Sequence, residues 1–447
     1  MTNRSNKELR QYIHAQEFFE DGVFSEDPGW ARNLRQSAMA NLKQIGLPTQ
    51  RRGNEEWKYT DVRPIARTDF QLGTNGPSSE ISESDLAPLS FGGINWIRLV
   101  FINGTYSPDM SSLSGAGKDI TVTNLSEGMK TQPDLVRNHL SHYADYETKA
   151  FTALNTSFVH DGALVHIPDN QVVTEPIQIL FLSAPQYHTS VSHPRVLVVT
   201  GKHSEATIIE GYTGPPATGY LTNGVTELVI GEGSSVKYYK AQRQGQDSYH
   251  ITTTEVILGR DSNFSSVNID LGGKITRNNL NILTQEENSS CKLSGLYMVT
   301  GTQHVDNQVI IDHAKPYTTS RELYKGVLAG SSRSVFHGSI IVREGAVKVN
   351  AHQVDKNLLL SDKAEADTKP AFWVYCDDVL CGHGAACGQM DESALFYLRS
   401  RGLDEQAARG MLTRAFVNEV IDNIENKQFR DYVDELVENT LEDWLNE

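Results

Sequence analysis

Arg195-Val-Leu-Val-Val-Thr-Gly201, Glu227-Leu-Val-Ile-Gly231 and Thr254-Glu-Val-Ile-Leu-Gly259 are short β-branched runs that each stop at a glycine. The beat Val199-Thr-Gly201, Val229-Ile-Gly231, Ile257-Leu-Gly259 has spacings of 30 and 28 residues. Looser copies follow at Ile282-Leu-Thr284 and Leu328-Ala-Gly330. Val and Ile suit a pleated, half-buried surface, and glycine lets the chain turn sharply between runs. A β-rich repeat of roughly 20–50 residues is the mark of a parallel β-helix, whose turns bury one another. The copies are divergent, and a pair of β-sandwiches fits the same strands and turns.

Working outward, strand-like runs fill Ser157 to Ala386, among them Asn307-Gln-Val-Ile-Ile311. Before them the periodicity is helical. Asp27-Pro28 reads as an N-cap with Pro at the first helical position, and Trp30, Leu34, Ala38, Leu42 and Ile45 follow at helical spacing before Gly46 stops the run. A second helical patch runs through Leu135, His139 and His142 to Ala153. After Met390, Leu412, Phe416, Val420 and Ile424 step by four, and Val433, Leu436, Val437, Leu441 and Leu445 mark a last helix. The expected organisation is a helical and mixed region over 1–156, a strand core over 157–390 and a helical domain over 391–447.

The length of 447 residues suits about three domains and a large core needing no staples. Against 56 Asp+Glu stand 40 Lys+Arg, a net charge of −16, which argues against binding a nucleic-acid backbone. Residues 391–447 hold 14 acids and 6 bases, half of that charge, as expected of a solvated acidic face. Four cysteines are too few for a secreted disulfide framework. The polar start Met1-Thr-Asn-Arg-Ser-Asn-Lys-Glu8 lacks a signal-peptide core, and no apolar run nears the ~20 residues that cross a bilayer. A cytoplasmic protein with reduced thiols and no membrane partner is expected.

Chemistry concentrates in Tyr375-Cys-Asp-Asp-Val-Leu-Cys-Gly-His-Gly-Ala-Ala-Cys-Gly388. Thiolate and imidazole are ligands that iron and zinc favour. The spacing C-x4-C-x-H-x3-C matches no standard zinc-ribbon or ferredoxin pattern, and buried cysteines beside a structural histidine fit it as well. On an extended strand Cys381 and His383 face one side; Cys387 shares it only if the strand continues through the glycines. His304, His313, His337 and His352 could converge in a folded solenoid, but dispersed histidines are more often satisfied polar residues. Ser114-Gly-Ala-Gly-Lys-Asp119 imitates a phosphate loop and fails at Ser112 and Asp119, so nucleotide hydrolysis is excluded. There is no G-x-S-x-G, H-E-x-x-H or G-x-G-x-x-G motif.

Leu296-Tyr-Met, Gln303-His-Val-Asp306, Ser320-Arg-Glu-Leu-Tyr-Lys-Gly-Val-Leu328, Asn357-Leu-Leu-Leu-Ser361, Asp367-Thr-Lys-Pro370, Asp377-Asp-Val-Leu-Cys-Gly-His-Gly-Ala385 and Leu395-Phe-Tyr-Leu-Arg-Ser-Arg-Gly402 together resemble the SufB/SufD family of iron–sulfur cluster assembly proteins. Glu55-Glu-Trp-Lys-Tyr-Thr-Asp61 is similar to a segment of the SufD branch. The resemblance implies a right-handed parallel β-helix flanked by N- and C-terminal helices. It implies a non-catalytic scaffold in a complex with SufB and the ATPase SufC, building nascent clusters in the cytosol. It places SufC on the C-terminal helical domain, where Arg399, Arg401 and Gly402 are candidate docking residues. It places His383, with Cys381 as the less certain partner, at the SufB interface as candidate ligands of a transient cluster, with none stably bound to the isolated chain. A homodimer is possible when the chain is alone.

The chain departs from the family pattern at Leu380, Gly382 and Ala386, and no ligand role is carried onto Cys376 or Cys387. Tyr317 and Thr318 stand where relatives often have His and Cys. The alternative function is a metal-dependent β-helix enzyme acting on a carbohydrate or small molecule. A free-standing metalloprotein is a third possibility, and nothing marks a flavin site.

Overall fold

The computed structural model describes residues 8–50, 52–72, 96–115, 117, 119–184, 189–215 and 219–446. The polar start at 1–7, and Ala116 and Lys118 of the phosphate-loop look-alike, lie outside them. Among the described residues no helix is long and apolar enough to cross a membrane.

The chain winds into a parallel β-solenoid of about eight turns, with helices at both ends. Successive strands alternate between two sheets. One carries Arg195–Thr200, Tyr220–Ile230, Tyr249–Leu258, Ile275–Thr284, His304–His313 and Arg333–Val342. The other carries Ile177–Leu182, Glu205–Thr213, Ser235–Arg243, Asn263–Asp270, Ser290–Val299, Thr319–Leu328, Asn350–Leu359 and Leu380–Gln389. Parallel registers stack like positions on like, so each inward residue sits on its counterpart one turn earlier. Ile208, Tyr238, Ser266, Leu293, Glu322, Gln353 and His383 form one such column.

The glycine beat is a corner of this solenoid. Val199, Val229 and Ile257 are neighbours in register. A Cβ on Gly231 would meet the Gly201 carbonyl oxygen at 2.2 Å, so successive corners approach too closely for a side chain. The looser copies need correction. Ile282 aligns with Val256, one position out of step, and Leu328-Ala-Gly330 belongs to the other sheet. A second corner signal repeats more faithfully: a residue with φ near +60°, then a buried hydroxyl. His203-Ser204, Gly233-Ser234, Asp261-Ser262, Asn288-Ser289 and Tyr317-Thr318 all obey it. Thr318 donates to the Lys315 carbonyl at 3.2 Å, which gives Tyr317-Thr318 a turn-forming role.

The strand-rich part reaches back before Ser157, since Ile97–Ile102 pairs in parallel with Ile177–Leu182. Helix Gly29–Ile45 forms as expected, with Gly46 beyond its end at φ +71°. Asp27 is not its cap: Pro28 holds that position, and Asp27 bonds the buried Arg35 at 2.9 Å and His160 at 2.9 Å. The second helical patch splits into Pro133–His139 and Ala150–Thr156. Between them Ser141, Tyr143 and Ala144 donate backbone N–H groups to Glu227, whose carboxylate also pairs with Arg195 at 2.5 Å. That carboxylate outcompetes the helical ladder locally. The Glu55–Asp61 segment straps this region to the solenoid. Arg277 stacks 3.8 Å over the Trp57 ring and bonds the Glu56 carbonyl at 2.9 Å and Asp306 at 2.6 Å, while Lys369 reaches Glu55 at 2.6 Å.

At the other end, helices Glu392–Ser400, Glu405–Ile421 and Lys427–Asn446 fold back over the second sheet. Val417, Val420, Ile421, Ile424 and Phe429 form one apolar cluster with Tyr239, Ile269, Leu296 and Val327.

Candidate functional site

Strand Leu380–Gln389 runs unbroken in register with Asn350–Leu359 and is the last strand of its sheet. Its inward positions, Cys381, His383, Ala385 and Cys387, stack on Ala351, Gln353, Asp355 and Asn357. The condition for Cys387 to share the face of Cys381 and His383 is met, because the strand continues through Gly382 and Gly384. Sharing a face does not make a common site. At about 3.3 Å per residue, Cys387 lies roughly 13 Å along the strand from His383, whereas Cys381 is about 7 Å away. Donors to one ion must come within a few ångströms of each other. Among the described residues no three His, Cys, Asp or Glu side chains form such a group.

His383 is exposed at the open end of the solenoid, and its ring stacks on Phe372 with centroids 5.0 Å apart and planes within 8°. Phe372 is the inward residue of strand Ala371–Val374, since it pairs with the buried Ile340. The two rings thus meet from opposite sheets and fix the imidazole's orientation over the end of the lumen. Cys381 is half-buried against the interior, and burial pushes its thiol up from the ordinary value, partly offset by a backbone hydrogen bond from Ala351. A bound cation would favour the thiolate it needs. Trp373, Tyr375 and Leu380 are exposed by 56%, 63% and 68%, and Trp373 and Leu380 alternate with the inward Phe372 and Cys381 and so face the outer side of the last strands. Cys381 and His383 thus stand on an edge strand that is paired on one side only.

The other candidates scatter. Cys376 packs against the interior from a loop, and Cys291 is buried, its thiol pushed far up by desolvation. His313 is a satisfied corner residue, bonded to Thr318 at 2.7 Å and Ser320 at 3.0 Å. His304 bonds Thr60 at 2.8 Å, His337 bonds Gln308 at 3.0 Å, and His352 lies beside Gly382, so these four histidines do not converge. A groove of about 760 Å³ lies elsewhere, between Trp57, Lys149 and the outer face around Glu255 and Arg277, and neither Cys381 nor His383 lines it.

On the C-terminal helices, Arg399 closes helix Glu392–Ser400 and pairs with Glu405 at 3.4 Å. Arg401 follows as the C-cap, and Gly402 takes φ +98°, a left-handed turn that points the next helix back. Arg399, Arg401 and Gly402 are exposed, next to Phe396 and Tyr397, exposed by 75% and 61%, on the same short helix. Sequence reading missed the two aromatics as surface residues and missed Phe372 altogether.

Two family models match nearly the whole chain: "SUF system FeS cluster assembly, SufBD core domain" over residues 181–416, and "SufBD protein N-terminal region" over residues 6–179. The chain belongs to the SufBD family. Among similar SufBD proteins, an iron-sulfur cluster assembly SufBD family protein of Synechocystis is 33% identical over 400 residues, covering 88% of this chain and 87% of the relative. The iron-sulfur cluster assembly protein SufD of Escherichia coli is 27% identical over 436 residues, 97% and 96% of the two chains. The SufD of Bacillus subtilis is 26% identical over 410 residues, 89% and 91%. The SufBD core match thus includes the end strand with His383 and runs into the helix that follows Gly402, ending at residue 416. The segments that carried the resemblance have physical jobs: Glu55–Asp61 is the strap, and Leu380–Gln389 is the terminal strand.

Proposed function

We propose that this SufBD-family chain is a non-catalytic cytoplasmic scaffold that joins SufB through the open end of its solenoid and offers His383 and Cys381 to a nascent cluster. The cluster is cargo, completed by ligands from SufB and then released. The observation that carries this reading is the terminal strand: an unpaired edge presenting two soft donors, with a ring-stacked imidazole and an apolar rim. A neutral imidazole and a thiolate together suit iron, and the missing ligands explain why the isolated chain would hold no cluster stably. The same edge can pair with a second copy when SufB is lacking.

The C-terminal helices are the proposed seat of SufC. Phe396, Tyr397 and the exposed Met411 supply an apolar patch beside Arg399, Arg401 and Gly402. Aromatic residues and Arg are the side chains that most often anchor protein interfaces.

The test is anaerobic reconstitution of the co-purified complex with iron and sulfide. Replacing His383→Ala should abolish cluster formation while SufB and SufC still co-purify. An unchanged cluster yield would falsify the ligand role. Phe396→Ala with Tyr397→Ala should release SufC in a pull-down and leave SufB bound; retention of SufC moves its seat elsewhere.

A further inference from the structure

We infer that Glu419, held between Lys325 and Lys356, is the joint through which movement of the C-terminal helices reaches the strand bearing Cys381 and His383. Its functional consequence rests on the reading above.

Lys325 comes from Arg321-Glu-Leu-Tyr-Lys-Gly326, a segment that neither the ligand pair nor the docking patch explains. It faces outward from strand Thr319–Leu328 and is nonetheless buried, because helix Glu405–Ile421 lies on top of it. Its ammonium donates to the Phe416 carbonyl at 2.8 Å, sits 4.4 Å from the centre of the Phe416 ring and pairs with Glu419. Lys356 is its neighbour one turn on and reaches the same carboxylate at 3.8 Å. Lys356 in turn stands in register with Ala386, three residues beyond His383. The outward column Lys325, Lys356, Ala386 therefore leads from the helix to the cluster-bearing strand in two steps.

Like charges directly opposite each other on neighbouring strands repel, at a strand separation of about 4.8 Å. Glu419 cancels that repulsion while the helix is seated, and the lysines hold its carboxyl below the ordinary range. If the helix lifts, two ammoniums are left face to face beneath the last strand. The C-terminal helices also hold these turns through apolar contacts. Val417, Val420 and Ile421 cluster with Leu296 and with Val327 of the Lys325 strand, Leu358 of the Lys356 strand packs with Leu395 and Ala408, and the segment after the helix adds Asn423 to Ser294 at 3.2 Å and Glu425 to Lys237 at 2.5 Å. The ion triad is the charged part of that grip, and it spans the two strands that precede Leu380–Gln389 in their sheet. Both lysines and Glu419 are positioning residues, since none touches the donors.

Hydrogen exchange on the full chain tests the joint without partners. Lys325→Met and, separately, Glu419→Gln should speed exchange of the amides in 380–389 by about tenfold while leaving 235–243 unchanged. Unchanged protection at 380–389 overturns the inference, and so does equal acceleration of every strand. In the reconstituted complex with SufB and SufC, both variants should keep ATP hydrolysis and SufC retention but lose cluster yield at least about fivefold. Lys325→Arg, which keeps the charge and the donors, should retain most of it. Full cluster yield in Glu419→Gln overturns the coupling. If the wild-type complex forms no cluster, the scaffold reading fails, and the exchange experiment still decides the joint.

Discussion

At its N-terminal end the solenoid is closed by its own chain. Strand Ile97–Ile102 is almost wholly buried and turns back through a hairpin to Thr105–Tyr106, and its inward Phe101 stacks on Phe181 at 5.0 Å, which stacks on Tyr212 at 5.2 Å. At the C-terminal end the last ring pair is Phe372 and His383, one from each sheet, and strand Leu380–Gln389 keeps most of its residues exposed. The same architecture is thus finished at one end and left open at the other. One aromatic stack is sealed under a hairpin, and the other ends in an exposed imidazole.

The comparison breaks or sharpens through substitutions whose effect on the chain's own stability should fall from the closed part to the open end. Glu227→Ala should be the most damaging. It leaves Arg195 buried without its partner and three backbone N–H groups without an acceptor, a loss of about 3–5 kcal/mol in denaturant unfolding. A loss below about 1 kcal/mol would show that the closed part is no firmer than the open one.

Next comes the pH response of the covered flank. Burial pushes the Glu255 carboxyl from 4.5 to about 8, so the folded state holds a proton that the unfolded state releases. The folded state binds more protons between those values, and stability falls as pH rises from about 4.5 through about 8. Glu255→Gln should remove that slope, on the order of a few kcal/mol, leaving the variant the more stable chain under alkaline conditions. Unfolding curves at acid and alkaline pH check this, and parallel slopes in variant and wild type would refute it.

Trp373→Lys at the open rim should be the mildest, within about 0.5 kcal/mol of wild type in the isolated chain. On the proposed SufB interface, its binding to SufB should nevertheless weaken by more than about tenfold. A large stability loss would mean that the rim is already covered within this chain.

The repeat was legible because a parallel register forces a periodic corner, and Gly231 cannot be anything larger with the Gly201 carbonyl so close. The phase was harder to read. Ile282 and Leu328 satisfy the apolar pattern on strands where the corner lies elsewhere, since an apolar pair does not encode which sheet it belongs to. The better signal, a left-handed residue before a buried Ser or Thr, is chemically diverse at its first position and escapes a search for glycine. At the candidate site, the spacing of Cys381 and His383 puts them on one face, while their proposed role came from the family resemblance. Phe372 was not found, because its relation to His383 exists only once two sheets close around a lumen. The joint at Glu419 depends on a helix 63 residues beyond Lys356 in sequence lying across it, which no local pattern announces.

The strap formed by Glu55–Asp61 has a consequence for the order of events in making this protein. Its bonds to Arg277 and Asp306 close loops of more than 200 residues, and that from Lys369 to Glu55 spans 314. Successive turns of a solenoid can stack as soon as each is synthesised, because their contacts are with the previous turn. The strap cannot close until a ribosome has delivered the chain past Lys369. Folding should therefore be fast and local along the solenoid and slow at the strap, with Trp57 fluorescence reporting the late step.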